Sequence, residues 1–189
     1  MLNALLSDHM VSKGMITGVA RKMAGFHKAA DTSPAINRYG SFDIIIMDAE
    51  ENFNQTARNI GKTISQESYR RIKDYTNAFI EANASLFRKR VADGRIRDCH
   101  GDLHAAHVCF TKKGICIFDC IEFNDRFRYC DVASEIAFLA MDLDNYGRAD
   151  LSRNFVDAYI SFSGDEDMVK LLAFYKCYRA YVRRSEERV

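Results

Sequence analysis

The sequence predicts a mainly helical (α+β) protein with one β-hairpin near its centre. Three observations lead to this prediction. Apolar residues recur at helical spacing through most of the chain, the period changes to that of strands in the segment VCFTKKGICIF, and the 189 residues contain a single proline, Pro34. Hydrophobic residues make up 48% of the chain and charged residues 28%, a balance that favours one globular domain over residues 1–189.

The helices before the hairpin are predicted from apolar periodicity and from their end signals. The first covers residues 12–30 and is followed by the helix-breaking segment DTSPAINRYG. The run IIIM at residues 44–47 fits either a short buried strand or the start of a helix, and EENFNQTARNIG predicts a helix ending near Gly61. The longest pattern covers residues 65–93, and Gly94 is its stop signal.

The hairpin and the helices after it follow from a second change of period. VCFTKKGICIF alternates in the manner of two strands around a turn at residues 111–114. The segment EFNDRFRYC is irregular, and the next helix begins after Asp131, whose side chain is expected to be its N-cap. Two more helices are predicted over residues 149–162 and 165–187.

Charge and cysteine content exclude several classes of protein. Lys and Arg number 27 against 26 Asp and Glu, so the net charge of +1 predicts no nucleic-acid partner and no anionic membrane surface. The basic clusters at residues 88–90 and 183–184 are interpreted as complements to helix dipoles.

No apolar run approaches the roughly 20 residues that cross a bilayer. Without a C-x-x-C pair or a signal peptide, the cysteines are expected to be reduced thiols of a cytoplasmic protein that pack as small hydrophobic residues; they are Cys99, Cys109, Cys116, Cys120, Cys130 and Cys177.

The candidate site is the polar cluster CHGDLHAAHVCF, residues 99–110, which directly precedes the hairpin. A hairpin places its two ends side by side, so the loop that contains Asp102 and His107 is expected to lie beside Asp119, which directly follows the second strand. Two carboxylates brought together there repel each other unless a cation lies between them. Geometry alone leaves two interpretations open, a metal-binding pair and a pair of exposed turn aspartates.

These residues resemble a known catalytic core. HGDLHAAH followed by IFDCIEF is similar to the motif H-G-D-x-x-x-x-N, a hairpin and an Asp in the aminoglycoside and choline phosphotransferases, which are relatives of the protein kinases. The run IFDCIEFNDRFRYCDVASEIAFLAMDLD resembles bacterial proteins described as aminoglycoside phosphotransferase family enzymes, and the similarity extends from the first helix to FYKCYRAYVR. It implies the helical C-terminal lobe of a protein-kinase-like fold, with a central catalytic β-hairpin, and transfer of the ATP γ-phosphate to a small-molecule hydroxyl.

The resemblance also implies roles for individual residues. Asp102 would be the catalytic base that orients the acceptor hydroxyl, and His100 would brace the catalytic loop. Asp119 would bind the Mg²⁺ ion that bridges the ATP phosphates. Glu122 matches an acidic residue that often follows this Asp, and Asp131 matches a structural Asp at the start of the next helix.

The sequence departs from the family pattern in two places. The second metal and cofactor ligand, an Asn in the family, is His107 here, and imidazole prefers softer metals than Mg²⁺; it either favours Mn²⁺, weakens this metal site or contributes only a hydrogen bond. No G-x-G, no strand-rich segment before the first helix and no G-x-x-x-x-G-K-[ST] motif occurs, so the N-terminal ATP-binding lobe is expected to be missing. The lobe surface exposed in this way predicts self-association.

Three alternatives compete with this interpretation. A zinc site is suggested by the spacing His104-x-x-His107-x-Cys109, although no second ligand cluster accompanies it. A two-metal phosphoesterase is suggested by GDLH, but the D-x-H spelling at residues 98–100 lies in the same loop and no G-N-H follows. The third alternative is a catalytically inactive, pseudokinase-like or truncated protein with a binding or scaffold role.

Overall fold

The computed structural model describes residues 1–186 of the chain, and the side chains of residues 1–183. Within this range the helices are α1 (Leu2–Ser7), α2 (Lys13–Ala29), α3 (Pro34–Asn37), α4 (Phe42–Thr56), α5 (Gln66–Ala82), α6 (Ala84–Ala92), α7 (Asp125–Arg128), α8 (Val132–Asn145), α9 (Ala149–Ser163) and α10 (Val169–Glu186). The strands are β1 (Ile96–Asp98), β2 (Val108–Thr111), β3 (Gly114–Ile117) and β4 (Tyr129–Asp131). The mainly helical prediction with a central hairpin is therefore confirmed.

Helix α8 is the centre of the core. Every residue from 132 to 140 is buried, because α9 and α10 both pack against α8 and α2 in turn packs along α9. The predicted apolar residues of α8, Val132, Ile136, Leu139 and Leu143, are all buried, and the side chain of Asp131 caps the helix by accepting a hydrogen bond from the Ala133 amide at 2.8 Å. The predicted N-cap is thus confirmed, and α8 forms a rigid base for the loop that precedes the hairpin.

Two small antiparallel sheets flank this loop. The predicted hairpin pairs β2 with β3 in the register Val108↔Ile117 to Thr111↔Gly114. A second pair, β1 with β4, was not predicted from the sequence. Each of these strands has only three residues, too few to show a period of two, and they are more than thirty residues apart. Together the two sheets fix both ends of the loop.

The long helix predicted over residues 65–93 is divided into α5 and α6 at Asn83. The Asn83 side-chain amide donates a hydrogen bond to the Phe79 carbonyl at 2.9 Å, which competes with continuation of the helix. The run at residues 44–47 is helical and belongs to α4, followed by a 3-10 turn at Ala57–Asn59 before Gly61. α1 was not predicted, and residue 187 of the last predicted helix lies outside the described residues.

The basic cluster at residues 88–90 does lie at the end of a helix, but Arg90 is not a surface residue. Its side chain is only 2% exposed, and it donates two hydrogen bonds to Asp131, at 2.9 and 2.6 Å. It also pairs with buried Asp165. Arg90 lies in the last turn of α6, where the helix-dipole interpretation places it, and its guanidinium also joins α6 to the start of α8 and to the turn before α10. In the other basic cluster, the Arg184 side chain lies outside the described part of the chain.

Several apolar side chains and thiols are exposed around the hairpin. Phe123 is 84% exposed and Phe127 50% exposed, and both follow the second hairpin strand. Cys116 and Cys120 are also exposed, so the prediction that the cysteines pack as small hydrophobic residues is wrong for these two; the other four are buried or half-buried. No helix among residues 1–186 combines the length with the apolar character that a bilayer-crossing helix needs.

Candidate active site

The loop between β1 and β2 turns sharply at Gly101. Its φ of +86° lies in the left-handed region, and a Cβ atom at this position would lie 2.9 Å from the Phe127 carbonyl oxygen and 3.1 Å from the Ile121 side chain. Only glycine satisfies both conditions. The turn thereby places the next residue, Asp102, beside the end of the hairpin.

Two buried carboxylates of α8 hold this loop on either side of Asp102. The Gly101 amide donates a hydrogen bond to Glu135 Oε1 at 2.6 Å, and the Ala105 amide donates one to Asp142 Oδ2 at 2.8 Å. Glu135 and Asp142 are seven residues apart, two helical turns, so they lie on the same face of α8. The backbone of this loop is therefore fixed to the core of the protein at two points.

A buried chain of polar groups continues from Glu135 into the core. Its Oε2 atom lies 2.7 Å from His27 Nε2, and His27 Nδ1 lies 2.8 Å from the Tyr159 hydroxyl. Burial raises the pKa of Glu135, but the His27 hydrogen bond and the Gly101 amide outweigh it, so this pKa lies below its ordinary value. These contacts could not be predicted from the sequence, because His27, Glu135 and Tyr159 occur within otherwise apolar helical patterns.

His100 connects the loop to the end of the hairpin. Its Nδ1 atom accepts a hydrogen bond from the Asp102 amide at 3.3 Å, and its Nε2 atom lies 2.8 Å from the Phe118 carbonyl oxygen. These partners assign the proton to Nε2, which donates to that carbonyl. The backbone carbonyl of His100 also accepts a hydrogen bond from the Ile121 amide at 2.9 Å. His100 therefore makes the contacts that a loop-bracing residue would make.

His107 lies between the two aspartates of the candidate site. Its Nδ1 atom is 2.9 Å from the backbone carbonyl of Asp102, which can only accept, so Nδ1 carries a proton and donates it. In the neutral ring, Nε2 then presents a lone pair, and it lies 3.4 Å from Asp119 Oδ2. A lone pair facing a carboxylate is unfavourable unless a proton or a metal ion lies between them. This pair is therefore a candidate cation site.

Asp119 combines an uncommon backbone conformation with an exposed carboxylate. Its φ is +64°, a conformation that is uncommon for a residue with a side chain, and its side chain is 73% exposed. It directly follows the hairpin, where the Phe118 amide donates a hydrogen bond to the His107 carbonyl at 3.2 Å. The end of the hairpin thus places the Asp119 carboxylate at the surface, facing His107.

Asp102 has two histidine side chains next to its carboxylate. Its Oδ2 atom lies 3.5 Å from His107 Nδ1 and 3.6 Å from His104 Nε2. The Ala106 amide donates to His104 Nδ1 at 3.3 Å, so in the neutral ring the Nε2 proton faces Asp102. Partial burial raises the pKa of Asp102, but the contacts with His104 and His107 outweigh it and lower this pKa below its ordinary value. Asp102 is therefore ionised at neutral pH.

The donor set fits a divalent cation that accepts both oxygen and nitrogen ligands. Asp119 offers a carboxylate, as Mg²⁺ and Mn²⁺ require, and the His107 imidazole favours Mn²⁺ of the two. One ligand atom from each of Asp102, His104 and His107 also lies within 4.8 Å of the others, and Cys109 does not belong to this group. The ligand set His104, His107 and Cys109 that would define a zinc site is therefore not brought together in the described structure.

A cavity of about 900 Å³ opens beside the two aspartates. Asp102, Asp119 and Glu122 lie along its wall, so the acidic residue expected near Asp119 faces the same space. Arg126 closes another part of the wall by pairing with Asp48, at 2.6 Å, and with Glu51 of α4. Asp131 also lines the cavity, but its carboxylate is bound to buried Arg90. The volume suits a small metabolite.

The helical lobe and the loop–hairpin site together define the class of the protein. A mainly helical body, with its acidic site between a short strand and a β-hairpin, is the C-terminal lobe of a protein-kinase-like fold. The model of the phosphotransferase enzyme family matches residues 12–174. The chain therefore belongs to the phosphotransferase enzyme family, and the resemblance inferred from the sequence is confirmed.

Similar proteins occur in mycobacteria. The chain is 32% identical over 186 residues to uncharacterized proteins from two strains of Mycobacterium tuberculosis and from Mycobacterium bovis. The aligned region is 98% of this chain but 37% of each relative. The chain thus spans little more than a third of the length of these relatives. No solved structure matches it significantly.

Proposed function

We propose that the chain catalyses transfer of the γ-phosphate of ATP to a hydroxyl group of a small molecule. The observation that supports this most strongly is the position of His107. Its Nδ1 proton is held by the Asp102 carbonyl at 2.9 Å, and its opposite nitrogen faces Asp119 at 3.4 Å. This arrangement couples the candidate base to a candidate cation site through a single imidazole ring.

In this proposal, Asp119 and His107 hold the metal ion of the ATP complex. When bound there, Mg²⁺ or Mn²⁺ would supply positive charge next to the phosphate oxygens of ATP. The protein contributes the exposed carboxylate of Asp119 and the fixed tautomer of His107. His100 and the hairpin hold these two residues at the end of the loop, so the ligands are positioned before the metal binds.

Asp102 acts on the acceptor. Its carboxylate is ionised at neutral pH, and the neighbouring histidines lower its pKa further, so it can accept a hydrogen bond from the acceptor hydroxyl and direct the oxygen toward the γ-phosphate. The cavity beside Asp102 has room for the remainder of a small acceptor. A cytoplasmic location, where ATP is available, is part of the same proposal, and self-association through the exposed surface of the lobe stays a prediction.

If Asp102 acts on the acceptor, its substitution should slow phosphate transfer without weakening the binding of ATP. We expect the wild-type chain to release phosphate slowly from ATP in the presence of Mg²⁺ or Mn²⁺, with water as the acceptor. Asp102→Asn should release phosphate at least about 100-fold more slowly, because the amide cannot accept the proton. Its affinity for metal–ATP should change little. The measurement is phosphate release alongside a calorimetric titration with ATP.

Asp157→Asn is the matched control, because Asp157 is an exposed carboxylate on α9. It should behave as the wild type in both measurements. Equal phosphate release by wild type and Asp102→Asn would remove Asp102 from the chemistry. Absence of release from the wild type would contradict the proposed activity for this chain.

A further inference from the structure

Arg179 of α10 lies in the wall of the cavity next to the catalytic loop. Its Nη1 atom donates a hydrogen bond to the Gly101 carbonyl at 3.3 Å, and its Nε atom donates one to Ser134 Oγ at 3.1 Å. The guanidinium also stacks over the Phe138 ring, with its carbon 5.1 Å from the ring centroid. These contacts fix the plane of the guanidinium one residue away from Asp102.

The charge of Arg179 is not balanced in the described structure. Among residues 1–183, no carboxylate lies within 4.0 Å of its guanidinium nitrogens. Arg126, the other arginine in this cavity wall, is paired with both Asp48 and Glu51. The contacts of Arg179 are to a carbonyl, a hydroxyl and an aromatic face, which orient a guanidinium without neutralising it. A partly buried, unpaired charge of this kind is costly unless a ligand pairs with it.

We propose that Arg179 binds an acidic group of the acceptor, so that the acceptor is a small hydroxy acid, either a carboxylate or a phosphate monoester. This inference rests on the proposed function, because it places the reacting hydroxyl at Asp102. A fixed guanidinium with free N–H donors matches the two oxygens of such an anion. Since Arg179 contacts the residue before Asp102, the acidic group and the hydroxyl are a few bonds apart in the acceptor.

The other charges of the cavity agree with this orientation. Asp102, Asp119 and Glu122 lie along the part of the wall where the hydroxyl and metal–ATP would bind, and they repel an anion. Arg179 supplies the opposite charge on the α10 side. An acidic acceptor is therefore held with its anionic end at α10 and its hydroxyl toward Asp102. Arg179 is in this sense a specificity-determining residue.

The test uses four probes that share one carbon skeleton and differ in charge. Glycerate and glycerol 3-phosphate are anionic, glycerol is neutral, and 2-amino-1,3-propanediol is cationic. Each is titrated without nucleotide into the full chain, and binding is followed by ligand-observed NMR. We expect the wild type to bind at least one anionic probe saturably and more tightly than glycerol. Arg179→Gln should weaken anion binding about tenfold or more and abolish the preference over glycerol.

Two further variants separate a specific role from a structural one. Arg179→Lys keeps the charge but loses the planar fork, so it should bind the anions at an intermediate affinity. Arg153→Gln removes an exposed arginine of α9 and should leave all affinities unchanged. A circular-dichroism melt of each variant reports whether it is folded. The ratio of anion to glycerol affinity is the decisive quantity, because a general loss of structure would lower both.

Three results would overturn the inference. They are saturable binding of the cationic probe in preference to the anions, anion affinities of Arg179→Gln within twofold of the wild type, and no saturable binding of either anion. A parallel titration with ATP and Mn²⁺ distinguishes this failure from failure of the proposed function. Nucleotide binding without anion binding would reject the acidic acceptor alone, and the reverse pattern would reject ATP as the donor.

Discussion

Glu135→Gln is expected to lower both the stability of the protein and the activity of the site. The Glu135 carboxylate accepts from the Gly101 amide at 2.6 Å and faces His27 Nε2 at 2.7 Å. A glutamine side chain has one acceptor oxygen, so its NH₂ group would face one of these two donors. Leaving a buried donor unpaired, and removing the charge that His27 contacts, should cost roughly 2–4 kcal/mol. The melting temperature should fall on the order of 10 °C.

The pH dependence of this stability loss tests whether the charge of the Glu135 carboxylate is its cause. The pKa of Glu135 is lower in the folded protein than its ordinary value of 4.5, so its contribution to stability is fully present above pH 4.5 and is lost as the pH falls through the lowered pKa. The stability difference between wild type and Glu135→Gln should therefore narrow below pH 4.5, as measured by urea unfolding at several pH values. Glu166→Gln, at an exposed position, is the matched control. A difference that does not change with pH would rule out the carboxylate charge as the origin of the effect.

Among the ion pairs of the described residues, those of Arg90 should give the largest loss of stability when broken, by Arg90→Met. It leaves the carboxylates of Asp131 and Asp165 buried without their shared cation, and both are 5% exposed or less. Breaking a buried pair in this way typically costs about 3–5 kcal/mol. Because Asp131 also caps α8, the start of the central helix is expected to loosen with it. Urea unfolding at neutral pH measures the loss.

Two comparisons test this explanation. Arg88→Met, on the exposed side of α6, should cost less than about 1 kcal/mol, since it loses only a cation–π contact with Phe42. Adding Asp131→Asn and Asp165→Asn to Arg90→Met should restore part of the stability, because neutral amides replace the unpaired charges. If Arg90→Met and Arg88→Met were equally stable, the buried network would not contribute as described.

The local part of the site could be predicted from the sequence. The hairpin is a short-range feature with its own turn residues, and it follows from hairpin geometry that His107 lies beside Asp119, as found at 3.4 Å. The resemblance to a phosphotransferase catalytic core depends on the same contiguous motifs. The roles implied for Asp102, His100 and Asp119 remain predictions, while their positions around one loop are observed.

The supporting part of the site could not be predicted, because it depends on packing between distant segments. His27 and Glu135 are 108 residues apart, and Arg179 is 78 residues from Gly101. In the sequence, His27, Glu135 and Arg179 each belong to a helix whose periodicity indicates only a buried or an exposed face. Arg90 shows the same limit: three basic residues at the end of a helix predict an interaction with the helix dipole, and only the fold shows that one of them is buried and paired with two carboxylates.

Calorimetric titration with ATP in Mg²⁺ and in Mn²⁺ tests the proposed cation site most directly. It compares the wild type with Asp119→Ala and His107→Asn. We expect metal-dependent ATP binding by the wild type, tighter with Mn²⁺, because an imidazole and a carboxylate form the site. Asp119→Ala should weaken binding with both metals about tenfold or more, while His107→Asn should reduce the advantage of Mn²⁺. Equal ATP affinity in wild type and Asp119→Ala would contradict a catalytic metal at this end of the hairpin.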